Sequence, residues 1–396
     1  MRRMLWRLAL AVLIGGMGVR PAQAGVQPAE ETPVYLPFLA RDAGVFTAGV
    51  YLPLVDITKW PAEAEAFRTL TGKQHGLFLI SSGFKCFWVA SVSQFRFQLN
   101  YINGAGAMPL ITWMPSDCGQ GGFGDISQIG LPEILSGAWD AYIQQWATDI
   151  AALGYPVMVR WGHEMNIPSY SWAGQHAFGL DGKTEWNAVP ADACGSLPLT
   201  GCYGDPTVAD GPERYVAAYR HVHTLADAIA PNILWVWIPN ALEYPFAAEA
   251  PWNSAPNYYP GDSYVDWVGV DAYNWGAHSG NGGTPYSWDS FDDLFGAALN
   301  DFTARYPAKP QMIPEFASVE DPGDSTRKAS WLLDAYQRAK TYPLLRAVVY
   351  VHDSLFVDVF HVGGPTPATF QVNSSAAALE AYKQAVAGWS GQPPRP

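Results

Sequence analysis

The sequence is short of basic residues. It has 23 lysines and arginines against 36 aspartates and glutamates, which gives a formal net charge of −13. A field of that sign repels nucleic acid, anionic lipid surfaces and polyanionic sugars. The composition therefore argues against all three as partners and favours a substrate without charge.

Long apolar runs are absent beyond the first residues, so no later segment is predicted to span a bilayer. The early run LALAVLIGGMGV (8–19) is shorter than the about 20 residues of a membrane helix. It follows three arginines and precedes Ala-Gln-Ala at 22–24, the small-residue pattern of a signal peptidase site. Residues 1–24 are therefore predicted to be a signal peptide, and the protein to be secreted with no membrane attachment. Removing four arginines and no acid would take the net charge from −13 to −17.

Cysteine is also scarce, with four residues at Cys86, Cys118, Cys194 and Cys202. An even number in an exported chain predicts two disulfides. Three pairings are possible. We favour Cys194 with Cys202, which are neighbours in a loop rich in glycine and proline, leaving Cys86 with Cys118. A zinc site would need CxxC or Cys/His spacing, which the sequence lacks, so no metal or other cofactor is predicted.

What the sequence does have is a regular alternation of short apolar runs with longer amphipathic stretches. The apolar runs predict eight strands, at 46–55, 76–83, 107–114, 156–164, 232–240, 266–274, 310–317 and 345–353. They are continuous runs, as expected of parallel strands covered by helices. The amphipathic stretches predict helices, among them 138–154, 211–230, 290–306 and 325–342. Eight such units predict the α/β class and a single (β/α)8 TIM barrel.

One barrel domain, residues 45–396, is expected, because no repeat period, linker or shift in composition divides it. Residues 25–44 contain three prolines and little periodicity, so they are predicted to be an N-terminal tether. The stretch 166–211 is the longest irregular one, and loops of that length are usually functional or disordered. Its aromatic side chains and proposed disulfide favour an ordered loop. We expect a monomer.

Carboxylates gather where the predicted strands end. Barrel enzymes build their active sites at this C-terminal face. Glu164 ends the fourth strand and Glu315 lies in the seventh, 151 positions later, and these strands face each other across a closed barrel. Cleavage of a glycosidic bond needs such a pair, one carboxylic acid to protonate the leaving oxygen and one carboxylate to attack or stabilise the anomeric carbon. The 17 tryptophans and 20 tyrosines add faces on which sugars can stack, although most must serve ordinary packing.

The same residues allow three other interpretations. Buried Glu164 could be a structural residue held by Arg160 or His163. His163-Glu164 also begins the zinc-protease motif HExxH, but its second histidine would fall at Ile167, which excludes it. A carbohydrate-binding barrel without catalysis would keep its aromatic residues and lose a carboxylate. Both carboxylates are present, which favours an enzyme.

The stretch VMVRWGHEMN at 157–166, with MIPEFAS at 312–318, resembles glycoside hydrolase family 26 of the clan A barrels. HVHTLADAIAPNILWVWIPN and YYPGDSYVDWVGVDAYN, which lie between them, are similar to the same family, and the resemblance runs from about residue 45 to 355. It implies a secreted, retaining enzyme that cleaves a neutral β-linked polysaccharide. An endo-β-1,4-mannanase is expected first, then a mixed-linkage β-glucanase or a β-1,3-xylanase.

The resemblance also implies roles for individual residues. Glu164 corresponds to the acid/base and Glu315 to the nucleophile. Side chains implied to bind substrate or support the site are His163, Tyr273, Trp113 and Trp172. Asn166 and Arg160 are added as second-tier candidates from their place in the same stretch, not from the resemblance. Tyr273 is expected to hydrogen-bond the nucleophile, and the two tryptophans are expected to stack on sugar rings.

Three positions depart from the family pattern. Ile167 stands where a glycine commonly follows the HEMN stretch, and Met114 stands where a histidine often follows the tryptophan of the third strand. The eighth strand ends without an obvious tryptophan. These changes concern sugar recognition rather than bond cleavage, so they weaken the mannan assignment and leave hydrolysis unaffected.

Overall fold

A computed structural model shows how the chain folds, and it describes residues 45–53, 58–84, 90–117, 127–167, 170, 172–174, 211–243, 251–276, 287–321, 323–354 and 369–394. The predicted signal peptide, the tether and all four cysteines lie outside these residues. Most of the predicted loop at 166–211 lies outside them as well. The predictions made for these parts of the chain stay predictions.

Parallel strands close into a barrel with eight strand positions, as the sequence predicts. The strands are β1 Thr47–Tyr51, β2 Leu77–Gly83, β3 Met108–Met114, β4 Ser116–Asp117, β5 Ser127–Gln128, β6 Val157–Trp161, β7 Ile233–Trp237, β8 Trp267–Gly269, β9 Ala272–Asn274, β10 Gln311–Ser318 and β11 Leu345–Val351. β4 and β5 form a separate antiparallel pair. The others follow chain order around the barrel, and β11 pairs with both β10 and β1, which closes it.

The sixth predicted strand, 266–274, is interrupted, and this corrects the expectation of one continuous strand. β8 pairs with the start of β10 and β9 with its end. The break falls at Asp271, whose amide donates to the Pro239 carbonyl at 3.2 Å. Its side chain accepts a hydrogen bond from the amide of Glu315 at 2.8 Å. A tertiary contact therefore replaces regular strand pairing at this point.

Apolar side chains fill the inside of the barrel. Alternate strand residues, such as Leu77 and Leu79 of β2, belong to one buried cluster, while the larger cluster includes the helices that cover the strands. Gly49 of β1 is needed where it is, because a Cβ atom there would lie 2.8 Å from side-chain atoms of both Leu77 and Val349. Space inside the barrel is limited by close packing.

Helices pack around the strands. Their bounds are Trp60–Thr71, Val92–Gly104, Leu131–Leu135, Asp140–Ala151, Gly211–Asp227, Ala297–Arg305, Arg327–Ala339 and Ala376–Ala387. Three predicted helices, at 138–154, 211–230 and 325–342, are confirmed to within three residues at each end. The helix predicted at 290–306 instead begins with a π-helical turn, Asp292–Gly296. No helix among the described residues is long and apolar enough to cross a membrane.

Candidate active site

The fourth barrel strand, β6, leads directly into a turn that carries Glu164. The amide of Gly162 donates to the Trp113 carbonyl at 3.1 Å, and the amide of Glu164 donates to the Ile238 carbonyl at 2.7 Å, so the turn is fixed on both sides. Gly162 and Glu164 have φ values of 54° and 53°. This left-handed conformation costs a residue other than glycine about 1–2 kcal/mol, and such strain is concentrated at functional sites.

Glu164 is buried among uncharged hydrogen-bond donors. Its side chain is only 5% exposed. Asn240 Nδ2 donates to Oε1 at 2.9 Å, and the Tyr170 hydroxyl donates to Oε2 at 3.2 Å. Burial raises the pKa of the Glu164 carboxyl above its ordinary value, while the Asn240 donor and the charge of Arg160 act in the opposite direction. Because burial outweighs them, Glu164 is suited to carry a proton.

Glu315 lies on β10, the seventh barrel strand, and it receives a charged donor. The guanidinium of Arg160 donates from Nη2 to Oε1 in a buried ion pair, and the Tyr273 hydroxyl donates to Oε2. Tyr273 therefore makes the hydrogen bond that the family resemblance implies. Hydrogen bonds from charged donors are about twice as strong as neutral ones and hold a carboxylate as an anion. Glu315 and Glu164 thus occupy opposite kinds of environment.

Arg160 connects three barrel strands through its guanidinium. Besides Glu315, it donates from Nη1 to Asp271 Oδ2 at 2.5 Å and from Nε to Thr112 Oγ1 at 2.6 Å. Arg160 and Asp271 are both fully enclosed. A buried charge is tolerated only when partners replace its lost hydration. The three acceptors do this, and they fix the plane of the guanidinium against Glu315.

The two glutamates interact with the same two neighbours, Arg160 and Tyr273. Burial, and after it the charge of Glu164, raises the pKa of Tyr273 well above its ordinary value, although the Tyr273 hydroxyl is bonded to Glu315. Arg160 is likewise bound to Glu315, and its charge opposes the rise in the pKa of Glu164. Arg160 and Tyr273 therefore link the environments of the two carboxyl groups electrostatically.

His163 is buried next to Glu164. Its ring centroid lies 5.1 Å from that of Tyr170 and 5.8 Å from that of Trp172. Burial, assisted by the charge of Arg160, lowers the pKa of His163 well below its ordinary value, so the imidazole is neutral near pH 7. In the part of the chain that the structure describes, its Nδ1 has no hydrogen-bond partner. No group of three His, Cys, Asp or Glu side chains among the described residues could hold a metal ion.

The two tryptophans predicted to stack on sugars are enclosed by protein. Trp113 is 0% exposed, and its ring stacks on that of Trp146 with 3.9 Å between centroids. Trp172 is 1% exposed, stacks on Tyr170 at 4.5 Å, and donates from Nε1 to the His163 carbonyl at 2.6 Å. Neither indole has a free face for a sugar ring here. Both act as packing residues that support the strand ends.

Asn166 supports Glu164 indirectly. Its side chain donates to the Asn240 carbonyl and accepts from the Asn240 amide, both at 2.8 Å, which holds Asn240 next to the carboxyl group. The site residues that the sequence analysis did not select include Asn240, Asp271, Tyr170 and Thr112. Asn240 and Asp271 both follow apolar strand runs, so their strand-end positions were the signal that could have found them.

Residues 133–286 match the sequence profile of the family described as glycosyl hydrolase family 26. Over 308 residues, or 77% of the chain, the sequence is 29% identical to Endoglucanase H of Acetivibrio thermocellus. The chain spans about a quarter of that relative's length, 27%.

Solved structures with a similar fold include mannanases. The catalytic domain of a GH26 endo-β-1,4-mannanase from Bacillus sp. JAMB-750 superposes with a TM-score of 0.53 at 16% identity, over 88% of this chain and 87% of that chain. A Bacillus subtilis mannanase gives a TM-score of 0.47 at 20% identity, over 80% and 82% of the two chains. At such identities the likeness concerns the fold alone.

The closed (β/α)8 barrel carries two carboxyl groups, Glu164 just beyond the end of its fourth strand and Glu315 on its seventh strand. Over residues 133–286 the chain is similar to family 26 of the glycoside hydrolases. This similarity agrees with the resemblance found from the strand-end motifs.

Replacing Arg160 with methionine is expected to destabilise the fold strongly. Asp271 and Glu315 would be left buried without a cation, and breaking a buried ion pair in this way costs about 3–5 kcal/mol. Urea denaturation should show a loss of that size in the free energy of unfolding. The double variant Arg160→Met/Asp271→Asn should recover part of it, because one uncompensated charge is removed.

The matched control is Arg305→Met, which breaks an exposed pair with Asp301. It should cost less than about 1 kcal/mol. An equally small loss for Arg160→Met would contradict the view that the buried guanidinium is needed to hold the two acids.

Proposed function

We propose that the protein hydrolyses β-glycosidic bonds in a neutral polysaccharide by double displacement, with Glu164 as acid/base and Glu315 as nucleophile. The observation that carries the proposal is the contrast between the two carboxyl environments. Glu164 is buried among neutral donors, and its pKa is raised. Glu315 is bound by a guanidinium and a phenol. Two carboxyl groups whose environments differ in this way suit the acid and the anion of glycoside cleavage.

In the first step, a Glu315 oxygen attacks the anomeric carbon while Glu164 gives its proton to the leaving oxygen. A glycosyl-enzyme ester forms and the glycosidic bond breaks. In the second step, Glu164 takes a proton from water, the water oxygen attacks the same carbon, and Glu315 leaves. Two inversions give net retention. Arg160 and Tyr273 keep the attacking carboxylate in place, and Asn240 and Tyr170 orient the acid.

The identity of the substrate polymer is a more specific part of the proposal. The family resemblance gives β-1,4-mannan as the first expectation. Two observations favour a β-glucan instead: the relative that matches 77% of the chain is named an endoglucanase, and Ile167 and Met114 depart from the family pattern at sugar-recognition positions. We therefore place mixed-linkage β-glucan ahead of β-mannan and β-1,3-xylan. Export of the protein, proposed from residues 1–24, would bring it to such polymers.

Release of reducing ends from the three polymers tests the substrate proposal. Mixed-linkage β-glucan should be cleaved fastest, and its product profile will identify the linkage attacked. Fastest release from β-mannan would reverse the order. Binding of a polymer with no release from any of them would instead indicate a carbohydrate-binding barrel without catalysis.

The roles of the two glutamates predict opposite azide products. On an aryl glycoside with a good leaving group, Glu164→Ala should form the glycosyl-enzyme, stall without its base and give a β-glycosyl azide when azide is added. Glu315→Ala has no nucleophile, so any rescue should give the α-azide. Without azide, losing the acid/base should slow polymer hydrolysis by about 10²- to 10⁴-fold.

Glu380→Ala is the matched control, since Glu380 is exposed on the helix Ala376–Ala387. It should keep the parent rate. The same azide stereochemistry from both active-site variants, or near-normal activity in either of them, would show that the roles are wrongly assigned.

The hydrogen bond from Asn240 predicts a shift in the pH profile. Asn240 Nδ2 stabilises the charged form of Glu164 and so lowers the pKa of that carboxyl. Catalysis needs Glu164 protonated, and the rate therefore falls as pH rises through its pKa. Asn240→Ala should raise this pKa further and move the alkaline limb of kcat/KM to higher pH. Asn257→Ala, at an exposed position of the short 3₁₀-helix Ala255–Tyr258, should leave the limb unchanged. An unmoved limb in Asn240→Ala would mean that Glu164 is not the group that titrates.

A further inference from the structure

Lys328 is a buried cation in a position that disfavours positive charge. It lies in the first turn of the helix Arg327–Ala339 and is 0% exposed. Burial removes its hydration, and the N-terminal end of a helix carries partial positive charge. Burial lowers the pKa of Lys328 to about 7, and the charge of Glu320 opposes this. Hydrogen-bond acceptors in the protein must therefore replace the lost hydration of the Lys328 ammonium group.

The compensation comes from one short segment, residues 369–374. Lys328 Nζ donates to the Thr369 carbonyl at 3.2 Å, to the Gln371 carbonyl at 2.8 Å and to Ser374 Oγ at 2.9 Å. Ser374 Oγ in turn donates to Glu320 Oε1 at 2.5 Å. All three donors of the ammonium group are used. An apolar side chain of the same length would leave two partly buried carbonyl groups without this donor.

The same segment is attached to the end of β11. The Phe370 amide donates to the Asp353 carbonyl at 2.9 Å, and the Val372 amide donates to His352 Nδ1 at 3.0 Å. Lys328 therefore binds the opposite edge of a segment that already lies along the barrel mouth. Phe370, between the two carbonyl groups that Lys328 binds, is fixed from both sides.

Phe370 packs directly on the residue that binds Glu315. Its ring is stacked on Tyr273, with 5.1 Å between centroids and 23° between planes. The Phe370 and Trp275 rings also meet in a T-shaped arrangement, with 5.1 Å between centroids. The Tyr273 hydroxyl donates to Glu315. A continuous series of contacts thus runs from the Lys328 ammonium group through Phe370 and Tyr273 to the carboxylate.

We propose that Lys328 is a positioning residue for the nucleophile: by holding the segment 369–374 it keeps Phe370 against Tyr273, and thereby keeps the Tyr273 hydroxyl on Glu315. The inference rests on the proposed role of Glu315. Tyr273 can rotate about its side-chain torsions, and the stacked phenyl ring restricts that rotation. The lysine acts through packing and does not touch substrate.

A double-mutant cycle on kcat tests the proposal. Lys328→Met should lower kcat by about 10- to 100-fold, the effect of a small displacement of catalytic groups, with little change in KM. In a Tyr273→Phe background the same change should cost less than about twofold, because the hydroxyl that Lys328 positions is already gone. A merely structural lysine would lower kcat by the same factor in both backgrounds, and that result would overturn the proposal.

Two further variants keep the test decisive. Phe370→Leu removes the stacked ring without removing the buried cation, so it decides the question if Lys328→Met fails to fold. It should show the same lack of additivity with Tyr273→Phe, and an unchanged kcat in Phe370→Leu would overturn the proposal. Lys340→Met is the control for charge, since Lys340 is exposed and lies over the Trp389 ring. It should keep the parent kcat.

Glu315→Ala separates the inference from the function on which it rests. If Glu315→Ala is inactive and the cycle is additive, the role of Lys328 is wrong and the proposed function stands. If Glu315→Ala is as active as the parent, the proposed function is wrong, and the role of Lys328 as a positioning residue fails with it.

Discussion

The buried charge of Arg160 is the constraint on which the site depends. One guanidinium reaches Thr112 on the third barrel strand, Asp271 at the break in the sixth and Glu315 on the seventh. An ion pair inside a protein is tolerated only when its geometry and its remaining hydrogen bonds are good. The strands cannot shift relative to one another without worsening these contacts. The hydrogen bonds of Arg160 that hold these strands relative to one another therefore also hold Glu315, the proposed nucleophile, in place.

Glu164 is held by a different kind of force. Its neighbours Asn240 and Tyr170 are neutral, and Asn166 fixes the backbone of Asn240. Neutral donors can orient a carboxyl group without strongly favouring its charged form, so burial determines its protonation. The site thus separates two tasks, charge compensation on the side of Glu315 and desolvation on the side of Glu164.

Much of this arrangement could be predicted from the sequence, for a physical reason. Eight apolar runs with helical stretches between them leave few alternatives to a closed parallel barrel, and a barrel brings its strand ends together. Glu164 and Glu315 could be singled out because the fourth and seventh strands face each other across a closed barrel, which brings the two carboxyl groups to opposite sides of one cleft. Asn240 and Asp271 could not be ranked among other polar strand ends, because their importance depends on hydrogen bonds between distant residues.

The aromatic residues show where sequence reasoning is weakest. Trp113 lies at a strand end, as a sugar-binding residue would, yet its ring stacks on Trp146 of a covering helix. Along β3 the side chains alternate regularly, so that Leu110 lies in the cluster inside the barrel while Ile111 and Trp113 lie in the cluster shared with the helices. A position at a strand end does not by itself decide which of the two faces a side chain takes. The break at Asp271 was missed for another reason, because a contact with the Glu315 amide outweighs local strand preference.

The left-handed backbone of Glu164 has a consequence for how this protein would respond to selection. A residue held at φ 53° is strained unless it is glycine, and asparagine tolerates this region better than glutamate does. Burial of the carboxyl group adds a second unfavourable contribution at the same position. Replacing Glu164 with glycine or asparagine would relieve the backbone strain and would also remove the buried carboxylic acid. A population selected only for resistance to heat would therefore be drawn towards losing this residue.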